Sequence, residues 1–447
     1  MSDLPSATTL AGDLAAGRTS SAALTRAALN RIAATNDDWH IFITVAPETA
    51  LTEAAASDAR RAAGRPLGPL DGVPIAVKDN IDVAGMPTTA GIAAYRDRVP
   101  AEDAGVIARL RAAGAVLLGK LNLHEGALGA TTDNPTYGRC ENPRVPGCTP
   151  GGSSGGSGAA VAGDLAAITL GTDTMGSVRI PAAYCGTWGL KPTRGLIGNS
   201  GLTYLSWTLD TIGPLAHSPA DLALAIAAMA GADARDPRSV AAPAGWDPTP
   251  VPADLAGVVL GRPSVVDAVP CEEEVRAAYD ALLARAERAG ATIRDVTIPG
   301  WDTGKARRAG LLISEAEAGS LLAHDLDTLG AGFSDGFRSF LNYGRKAPGE
   351  RIAAAYWALE QLGHAARQSL DGVDALILPT APQRAFPHGS PAPADQADFT
   401  ALANIAGLPA VAFPLPGDKP NSAQLVGPAF AEGRLLGIAS ALSEMTS

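Results

Sequence analysis

Positive charge is scarce in this sequence. Its 447 residues include 35 lysines and arginines against 46 aspartates and glutamates, which gives a formal net charge of −11 at pH 7. A protein that binds a phosphate backbone needs a basic face to replace the counterions held there. No run of lysine and arginine of the required density occurs, so we expect no nucleic-acid partner.

Cysteine and histidine are also sparse. The four cysteines form no Cys-x-x-Cys motif, and the six histidines match no metal-ligand spacing. We therefore expect free thiols, no metal and no cofactor. Cys140 and Cys148 lie close enough along the chain for their pairing to remain an open question.

Long hydrophobic runs are lacking as well. The first residues (MSDLPSATTLAGDLAAGRTSS) contain no apolar core of the kind a signal peptide has. No uncharged apolar run approaches the roughly 18 residues that a membrane span requires. The expectation is a cytoplasmic protein that makes no membrane contact.

What the chain does contain is material for a large core. Hydrophobic residues make up 46% of it and charged residues 18%, which is a globular composition. The length is compatible with two or three average domains or with one large α/β unit. We expect a single domain over residues 1–447, with a proline-rich internal linker near 236–252 and a more variable helical region near 301–370.

Strand and helix patterns alternate with short connections along much of the chain. Buried-strand patterns cover 72–77, 115–118, 168–170, 257–260, 292–298, 375–378 and 410–413. Helical patterns cover 20–35, 104–114, 159–167, 219–231 and 272–290. This order predicts an α/β fold with a mixed, largely parallel central sheet sandwiched between helix layers.

The regular patterns disappear between residues 131 and 158, where proline, glycine and serine accumulate. Structureless stretches of this length in a compact domain are usually functional or disordered. A flexible linker is one interpretation of the Gly/Ser tract. A phosphate loop is a poor one, because the Lys-Ser/Thr of a P-loop is missing. A nucleophile elbow needs a preceding strand, which Pro143, Pro146 and Pro150 exclude.

A second glycine-flanked serine, Ser177, follows this tract in the segment GTDTMGS (171–177). Small residues there allow consecutive backbone N–H groups to converge on one point, as an oxyanion hole requires. Lys78 stands at the end of the apolar strand pattern GVPIAV, where burial would lower its pKa. The serine and the lysine are therefore candidate functional residues.

Four blocks of sequence, taken together and in order, resemble the amidase signature family. They are GVPIAVKDN (72–80), GAVLLGKLNLHE (114–125), the serine segment 150–193, and NIAGLPAVAFP (404–414) with QLVGPAFAEGRLL (424–436). The match extends over nearly the whole chain, and several ordered blocks are far more specific than any one of them. The resemblance implies the amidase signature fold and hydrolysis of carbon–nitrogen bonds without metal or cofactor.

The resemblance also implies a Ser–cisSer–Lys triad. Ser177 is expected to attack the carbonyl carbon of the substrate and form an acyl-enzyme. Ser153 is expected to follow a cis peptide bond and to pass the proton of Ser177 to Lys78. Ser154 is the rival to Ser153, but only Ser153 keeps the spacing of the family.

The charged neighbours of the base raise a separate question. Lys78 must be neutral to accept a proton, so its pKa must fall from about 10.4 toward neutrality. The adjacent Asp79 would favour the charged lysine unless its carboxylate points elsewhere. Lys120 and Lys191 are rival bases, and both are expected to be structural.

The loop around the nucleophile is expected to supply the oxyanion hole. Its donors would be the backbone N–H groups of Thr174, Met175, Gly176 and Ser177. Asp173 and Arg179 flank the nucleophile and are expected to pair and brace this loop. Met175 departs from the family, whose members often have glycine there, and its side chain is expected to narrow the acyl pocket.

The function that follows is hydrolysis of a small amide-type substrate, either an amide, an anilide or a carbamate (urethane), through a seryl acyl-enzyme. Aryl or aliphatic substrates are favoured because the surroundings of Met175 offer few charged anchors. The expected partner is this small molecule alone, with the chain as a monomer or homo-oligomer. The alternative is the glutaminase subunit of a tRNA-dependent amidotransferase, which would supply ammonia to a second protein.

Overall fold

A computed structural model describes residues 4–445 of the chain. Its β-strands are β1 (Phe42–Val45), β2 (Pro74–Lys78), β3 (Val116–Leu121), β4 (Asp133–Asn134), β5 (Gly138–Arg139), β6 (Ile168–Asp173), β7 (Trp188–Lys191), β8 (Thr211–Ala216), β9 (Val259–Pro263), β10 (Thr292–Val296), β11 (Ala375–Pro379), β12 (Ala410–Pro414) and β13 (Ser422–Val426). Its α-helices are α1 (Ala7–Ala15), α2 (Ser21–Trp39), α3 (Pro47–Ala62), α4 (Gly105–Ala112), α5 (Gly155–Ala162), α6 (Arg179–Cys185), α7 (Pro219–Met229), α8 (Val265–Ala268), α9 (Glu273–Arg288), α10 (Thr303–Leu321), α11 (Ala323–Leu329), α12 (Asp335–Lys346), α13 (Gly349–Gln368), α14 (Ala401–Ala406) and α15 (Glu432–Glu444).

One large mixed sheet organises these elements. It has 11 strands in the order β1-β3-β2-β6-β8-β7-β12-β13-β11-β9-β10. Parallel pairing occurs in two groups, β3-β2-β6 and β11-β9-β10. Antiparallel strands join the two groups through the centre of the sheet. The mixed α/β sheet expected from the sequence is confirmed, with its parallel pairs gathered in these two groups.

Both faces of the sheet are covered by helices, because alternate strand residues pack into different cores. In β2, Ile75 and Val77 pack into the core that contains the apolar residues of α7 and α15. Ala76, between them, packs into the core formed with α2, α3 and α5. Successive side chains of a strand point to opposite faces, so the run of apolar residues in β2 requires cover on both.

The Gly/Ser tract departs from its expected structure in two ways. The short hairpin β4–β5 lies within the stretch expected to lack regular structure. The following helix begins at Gly155 and ends at Ala162, earlier than expected at both ends. A Cβ atom at Gly156 would lie 2.5 Å from the backbone oxygen of Asn122, so α5 needs glycine to pack this closely against the residue after β3.

The remaining expectations meet mixed outcomes. The helical region near 301–370 is confirmed by α10, α11, α12 and α13. Residues 236–252 hold no helix or strand, and their role as a linker inside a single domain stays a prediction. All four cysteines are free thiols. Within residues 4–445 no helix is both long and apolar enough to cross a bilayer.

The topology brings the candidate residues to one edge of the sheet. β2 ends at Lys78 and its parallel neighbour β6 ends at Asp173. The carboxyl ends of parallel strands meet at the same edge, which is where α/β sheets hold their ligands. The loop that follows β6 carries Ser177 to this edge.

Candidate active site

Lys78 is wholly buried and is surrounded by hydroxyl groups. Its Nζ atom lies 2.7 Å from Ser153 Oγ, 2.9 Å from Ser154 Oγ and 2.7 Å from Thr172 Oγ1. All three partners are neutral oxygens, so no carboxylate contacts the amine directly. The side chain reaches both adjacent serines of the Gly/Ser tract, although Ser153 is 75 residues away in the chain.

Burial shifts the acid–base behaviour of this lysine. It lowers the pKa of Lys78 from 10.5 to about 7, and the charges of Asp210 and Asp173 oppose only part of that change. Burial likewise raises the pKa of Asp210 to about 6, although Thr174 donates a hydrogen bond of 2.6 Å to its carboxylate. A lysine with a pKa near neutrality is a competent general base.

The two adjacent serines differ in what their hydroxyl protons do. The peptide bond between Gly152 and Ser153 is cis. Ser154 Oγ donates to the backbone oxygen of Thr172 (3.1 Å) and accepts from the backbone N–H of the same residue (3.2 Å). Lys78 is the hydrogen-bond partner found for Ser153 Oγ among residues 4–445. The proton of Ser153 is therefore free to move, whereas that of Ser154 is already bound.

Ser177 lies half-buried in the turn between β6 and α6, on the wall of a cavity. Its backbone oxygen accepts a hydrogen bond of 3.2 Å from the N–H of Ser154, which ties the two serine segments together. Among the described residues, no hydrogen bond joins the Oγ atoms of Ser177 and Ser153. Hydrogen bonds between catalytic groups are often long without substrate and tighten in the complex.

The loop around the nucleophile corrects one expected oxyanion donor. The N–H of Gly176 donates to Asp173 Oδ1 at 2.7 Å, so the carboxylate already occupies this donor. In the described part of the chain, the N–H groups of Thr174, Met175 and Ser177 have no hydrogen-bond partner. These same three residues line the cavity, whereas Gly176 does not.

Asp173 and Arg179 pair in full burial behind this loop. Arg179 donates from Nη2 to Oδ1 (2.9 Å) and from Nε to Oδ2 (3.0 Å) of the carboxylate. Burial alone would raise the pKa of Asp173, but the Arg179 charge and the hydrogen bonds from Arg179 and Asn404 outweigh it and hold the pKa at about 2. The pair is thus a permanent ion pair at the base of the loop, in the bracing position expected from the sequence.

Two side chains at the start of α14 contact the loop and were not identified from the sequence. Thr400 Oγ1 donates to the backbone oxygen of Met175 at 2.6 Å. Asn404 Nδ2 donates to the backbone oxygen of Asp173 at 2.8 Å. The segment NIAGLP marked this region as part of a family block, but no local pattern indicated that it reaches the nucleophile.

The rival bases do not reach the serines. Lys120 donates to the backbone oxygen of Ile81 (2.6 Å) and to Thr88 Oγ1 (2.7 Å). Lys191 donates to the backbone oxygen of Pro192 at 2.7 Å. His124 is buried beside Thr131, and burial lowers its pKa to about 4, which leaves the imidazole neutral.

The cavity beside Ser177 encloses about 260 Å³. Arg307 is the single charged side chain among the described residues that line it, and its guanidinium pairs with Asp398. The rest of the wall is mostly apolar, and it comprises Ala127, Leu128, Gly129, Ala130, Thr174, Met175, Ser177, Ile180, Leu205, Leu311, Ser314, Ala392, Pro393, Ala394, Gln396 and Ala397. Residues 4–445 contain no group of three or more His, Cys, Asp or Glu side chains arranged to hold a metal ion.

Comparison with known proteins gives a consistent result across nearly the whole chain. The family model described as Amidase matches residues 23–436. A glutamyl-tRNA(Gln) amidotransferase subunit of Chloroflexus aurantiacus is 38% identical, over 97% of this chain and 95% of that protein.

Solved structures agree with this assignment. One belongs to a vestigial protein complex described as revealing the evolutionary origins of an s-triazine catabolic enzyme. It superimposes with a TM-score of 0.90 at 33% identity and covers 98% of both chains. The peptide amidase of Stenotrophomonas maltophilia gives a TM-score of 0.86 at 30% identity, over 99% of this chain and 96% of that one.

These relatives contradict the expected partners. The net charge led us to exclude nucleic acid and to expect a monomer or homo-oligomer. That exclusion is wrong, because relatives spanning the full chain are named as subunits of an enzyme of glutamyl-tRNA. The formal charge of one chain describes its own average surface, and it carries no information about the assembly to which that chain contributes.

Proposed function

The chain belongs to the amidase signature family of enzymes that act on carbon–nitrogen bonds, and we propose on that basis that it hydrolyses a carboxamide through an acyl-enzyme on Ser177. The observation that carries this proposal is the buried amine of Lys78, with a pKa of about 7 and Ser153 Oγ at 2.7 Å. A buried lysine surrounded by three hydroxyl groups has no evident structural purpose. It suits a base that takes a proton through a hydroxyl.

In the proposed acylation step, Ser177 Oγ attacks the carbonyl carbon of the amide. Its proton passes to Ser153 Oγ while the proton of Ser153 passes to the neutral amine of Lys78. The negative charge that develops on the carbonyl oxygen is met by the free N–H groups of Thr174, Met175 and Ser177. Fixed backbone donors of this kind stabilise the charge without reorganising when it forms.

In the following steps the relay runs in reverse. The protonated Lys78 returns its proton through Ser153 to the amide nitrogen, which leaves as ammonia or an amine. A water molecule then attacks the acyl carbon, and it passes one proton along the same path to Lys78. Ser177 is regenerated and the acid is released. Neutral Lys78 is required at the start of both half-reactions.

Within this chemistry, glutamine is the first candidate substrate, with the chain as the ammonia-releasing subunit of an amidotransferase. The full-length similarity to glutamyl-tRNA(Gln) amidotransferase subunits supports it. The cavity wall supports it as well, since Arg307 and its partner Asp398 offer one charge of each sign to the α-carboxylate and α-ammonium of an amino acid.

A second candidate is a hydrolase for a less polar amide, an anilide or a carbamate. The observation that favours it is the mostly apolar wall of the cavity. Burying an apolar acyl group there would contribute about 25 cal/mol for each Å² removed from water. The side-chain amide of glutamine would gain much less from such a wall.

One experiment separates the two candidates. Ammonia and amine release are followed by mass spectrometry for glutamine, a neutral primary amide, an anilide and a carbamate, with purified protein and with cell extract added. The glutaminase proposal expects glutamine turnover that rises when extract supplies a partner protein. Turnover of the neutral compounds alone would select the second candidate. Ser177→Ala should abolish either activity, and full activity in that variant would overturn the mechanism.

A further inference from the structure

Helix α10 forms one wall of the cavity, and a glycine in this helix touches the oxyanion loop. A Cβ atom at Gly310 would lie 2.6 Å from the Sδ atom of Met175. Carbon and sulfur atoms in ordinary contact lie about 1 Å farther apart. The thioether of Met175 therefore occupies a notch that exists because residue 310 has no side chain.

The backbone of Met175 is fixed independently of its side chain. Thr400 holds its carbonyl oxygen, and Asp173 holds the N–H of the next residue in the same peptide unit. The side chain extends from this anchored point toward α10, where it packs with Leu209 and Ala306. Its position is thus set by the space that the neighbouring residues leave for it.

The same side chain also borders the cavity beside Ser177. From α10, Leu311 and Ser314 line this cavity together with Met175, and both follow Gly310 within one turn or so of the helix. A thioether displaced from the notch has the cavity as its adjacent empty space. Methionine is flexible and adapts to such a displacement by changing rotamer.

We propose that the contact between Met175 and Gly310 sets the size of the acyl group that the enzyme accepts. This rests on the proposed function, in which the acyl group occupies the cavity lined by Met175. With glycine at position 310, the thioether is withdrawn into the notch and the cavity keeps its full width. A side chain at position 310 pushes the thioether into the space of the acyl group.

The test uses alkylsulfonyl fluorides, which report on acyl size without knowledge of the natural substrate. Ser177 Oγ forms a bond to sulfur, the sulfur–fluorine bond breaks, fluoride leaves, and the serine proton passes through Ser153 to Lys78. The second-order rate of labelling is measured by mass spectrometry for methanesulfonyl fluoride and for hexanesulfonyl fluoride. The ratio of the two rates is the readout.

Gly310→Ala should lower the hexane-to-methane ratio by about tenfold, the usual effect of a methylene-sized change in an acyl pocket. Met175→Ala should raise the ratio, and the double variant Met175→Ala with Gly310→Ala should recover at least the wild-type ratio. Gly12→Ala in α1 is the matched control, because a Cβ there has nothing within 4 Å. Its ratio should equal that of the wild type.

Two results would overturn the proposal. One is an unchanged ratio in both Gly310→Ala and Met175→Ala. The other is a double variant no better than Gly310→Ala, which would mean that the alanine acts without Met175. If Gly310→Ala does not fold, Met175→Ala alone decides. Labelling that persists in Ser177→Ala would instead overturn the proposed nucleophile, so the two failures are distinguishable.

Discussion

Asp79 turns its carboxylate away from Lys78 and forms an ion pair with Lys120, at a distance of 3.2 Å between Oδ1 and Nζ. Both side chains are wholly buried, and Thr89 donates its backbone N–H to the other carboxylate oxygen at 3.0 Å. The acid next to the proposed base in sequence is thereby neutralised by a different lysine. This arrangement answers the objection that Asp79 would hold Lys78 in its charged form.

We predict that breaking this ion pair destabilises the protein strongly. Lys120→Met should lower the free energy of unfolding by about 3–5 kcal/mol, because it leaves a buried carboxylate without a countercharge. Urea unfolding followed by circular dichroism measures the loss. Adding Asp79→Asn should restore part of it. Arg139→Met is the control, since the exposed pair of Arg139 with Asp133 should change stability by about 1 kcal/mol or less. A loss in Lys120→Met as small as in this control would contradict the prediction.

We predict that the labelling rate of Ser177 depends on pH with a midpoint near neutrality. The pKa of Lys78 is about 7, and only the neutral amine accepts a proton. The rate of reaction with methanesulfonyl fluoride should therefore fall as pH decreases through about 7 and level off above it. A midpoint near 10, the ordinary value for lysine, would exclude this residue as the base. Lys78→Met should show a residual rate without this midpoint.

We predict that Asp210 holds this midpoint up. Its negative charge raises the pKa of Lys78 against the effect of burial. Asp210→Asn removes the charge and retains an oxygen acceptor for Thr174, so the midpoint of the pH profile should move to lower pH. The measurement is the same labelling rate over the same pH range. A midpoint that moves upward or stays fixed would contradict the electrostatic argument.

We predict unequal effects for the two serines that contact Lys78. Ser153→Ala should lower the labelling rate of Ser177 by about 10³-fold, in line with the loss of a proton-transfer group. Ser154→Ala should cost about tenfold or less, because its hydroxyl proton is bound to Thr172 and its loss mainly disturbs packing. Equal losses would mean that the relay is not confined to Ser153. Thermal unfolding of both variants separates activity from stability.

We predict that Thr400 positions the oxyanion donors. Thr400→Val removes the hydrogen bond to the carbonyl oxygen of Met175 while keeping the shape of the side chain. The peptide unit it anchors then loses one of its two holds, and kcat should fall by about tenfold with KM little changed. Thr400→Ser keeps the hydroxyl and should restore the rate. Thr52→Val, at an exposed helix hydroxyl bonded to Glu48, is the control and should have no effect. A fall in Thr400→Ser as large as in Thr400→Val would show that packing matters and not the hydrogen bond.

The fold was predictable where local pattern and tertiary environment agree. The run of apolar residues in β2 indicated a strand buried on both faces, and the structure has it so. The N-cap of α7 was readable because Ser218 bonds its own neighbour, Asp221, at 3.1 Å. The start of α5 was not readable, since a helix of glycine and serine is stabilised by close packing against other strands and not by its own propensity.

The sequence by itself determined which side chains carry the chemistry, because Lys78, Ser153 and Ser177 stand in ordered blocks whose spacing is visible along one dimension. Only the tertiary structure decided how those groups are tuned. The neutral lysine arises from burial, the choice of serine from which hydroxyl proton is already bound, and the number of oxyanion donors from a carboxylate that takes the N–H of Gly176. Each of these depends on atoms far apart in the chain, since Thr400 and Asn404 lie more than 200 residues from the loop they contact. Burial and hydrogen bonding are properties of three-dimensional neighbours, and a linear pattern does not contain them.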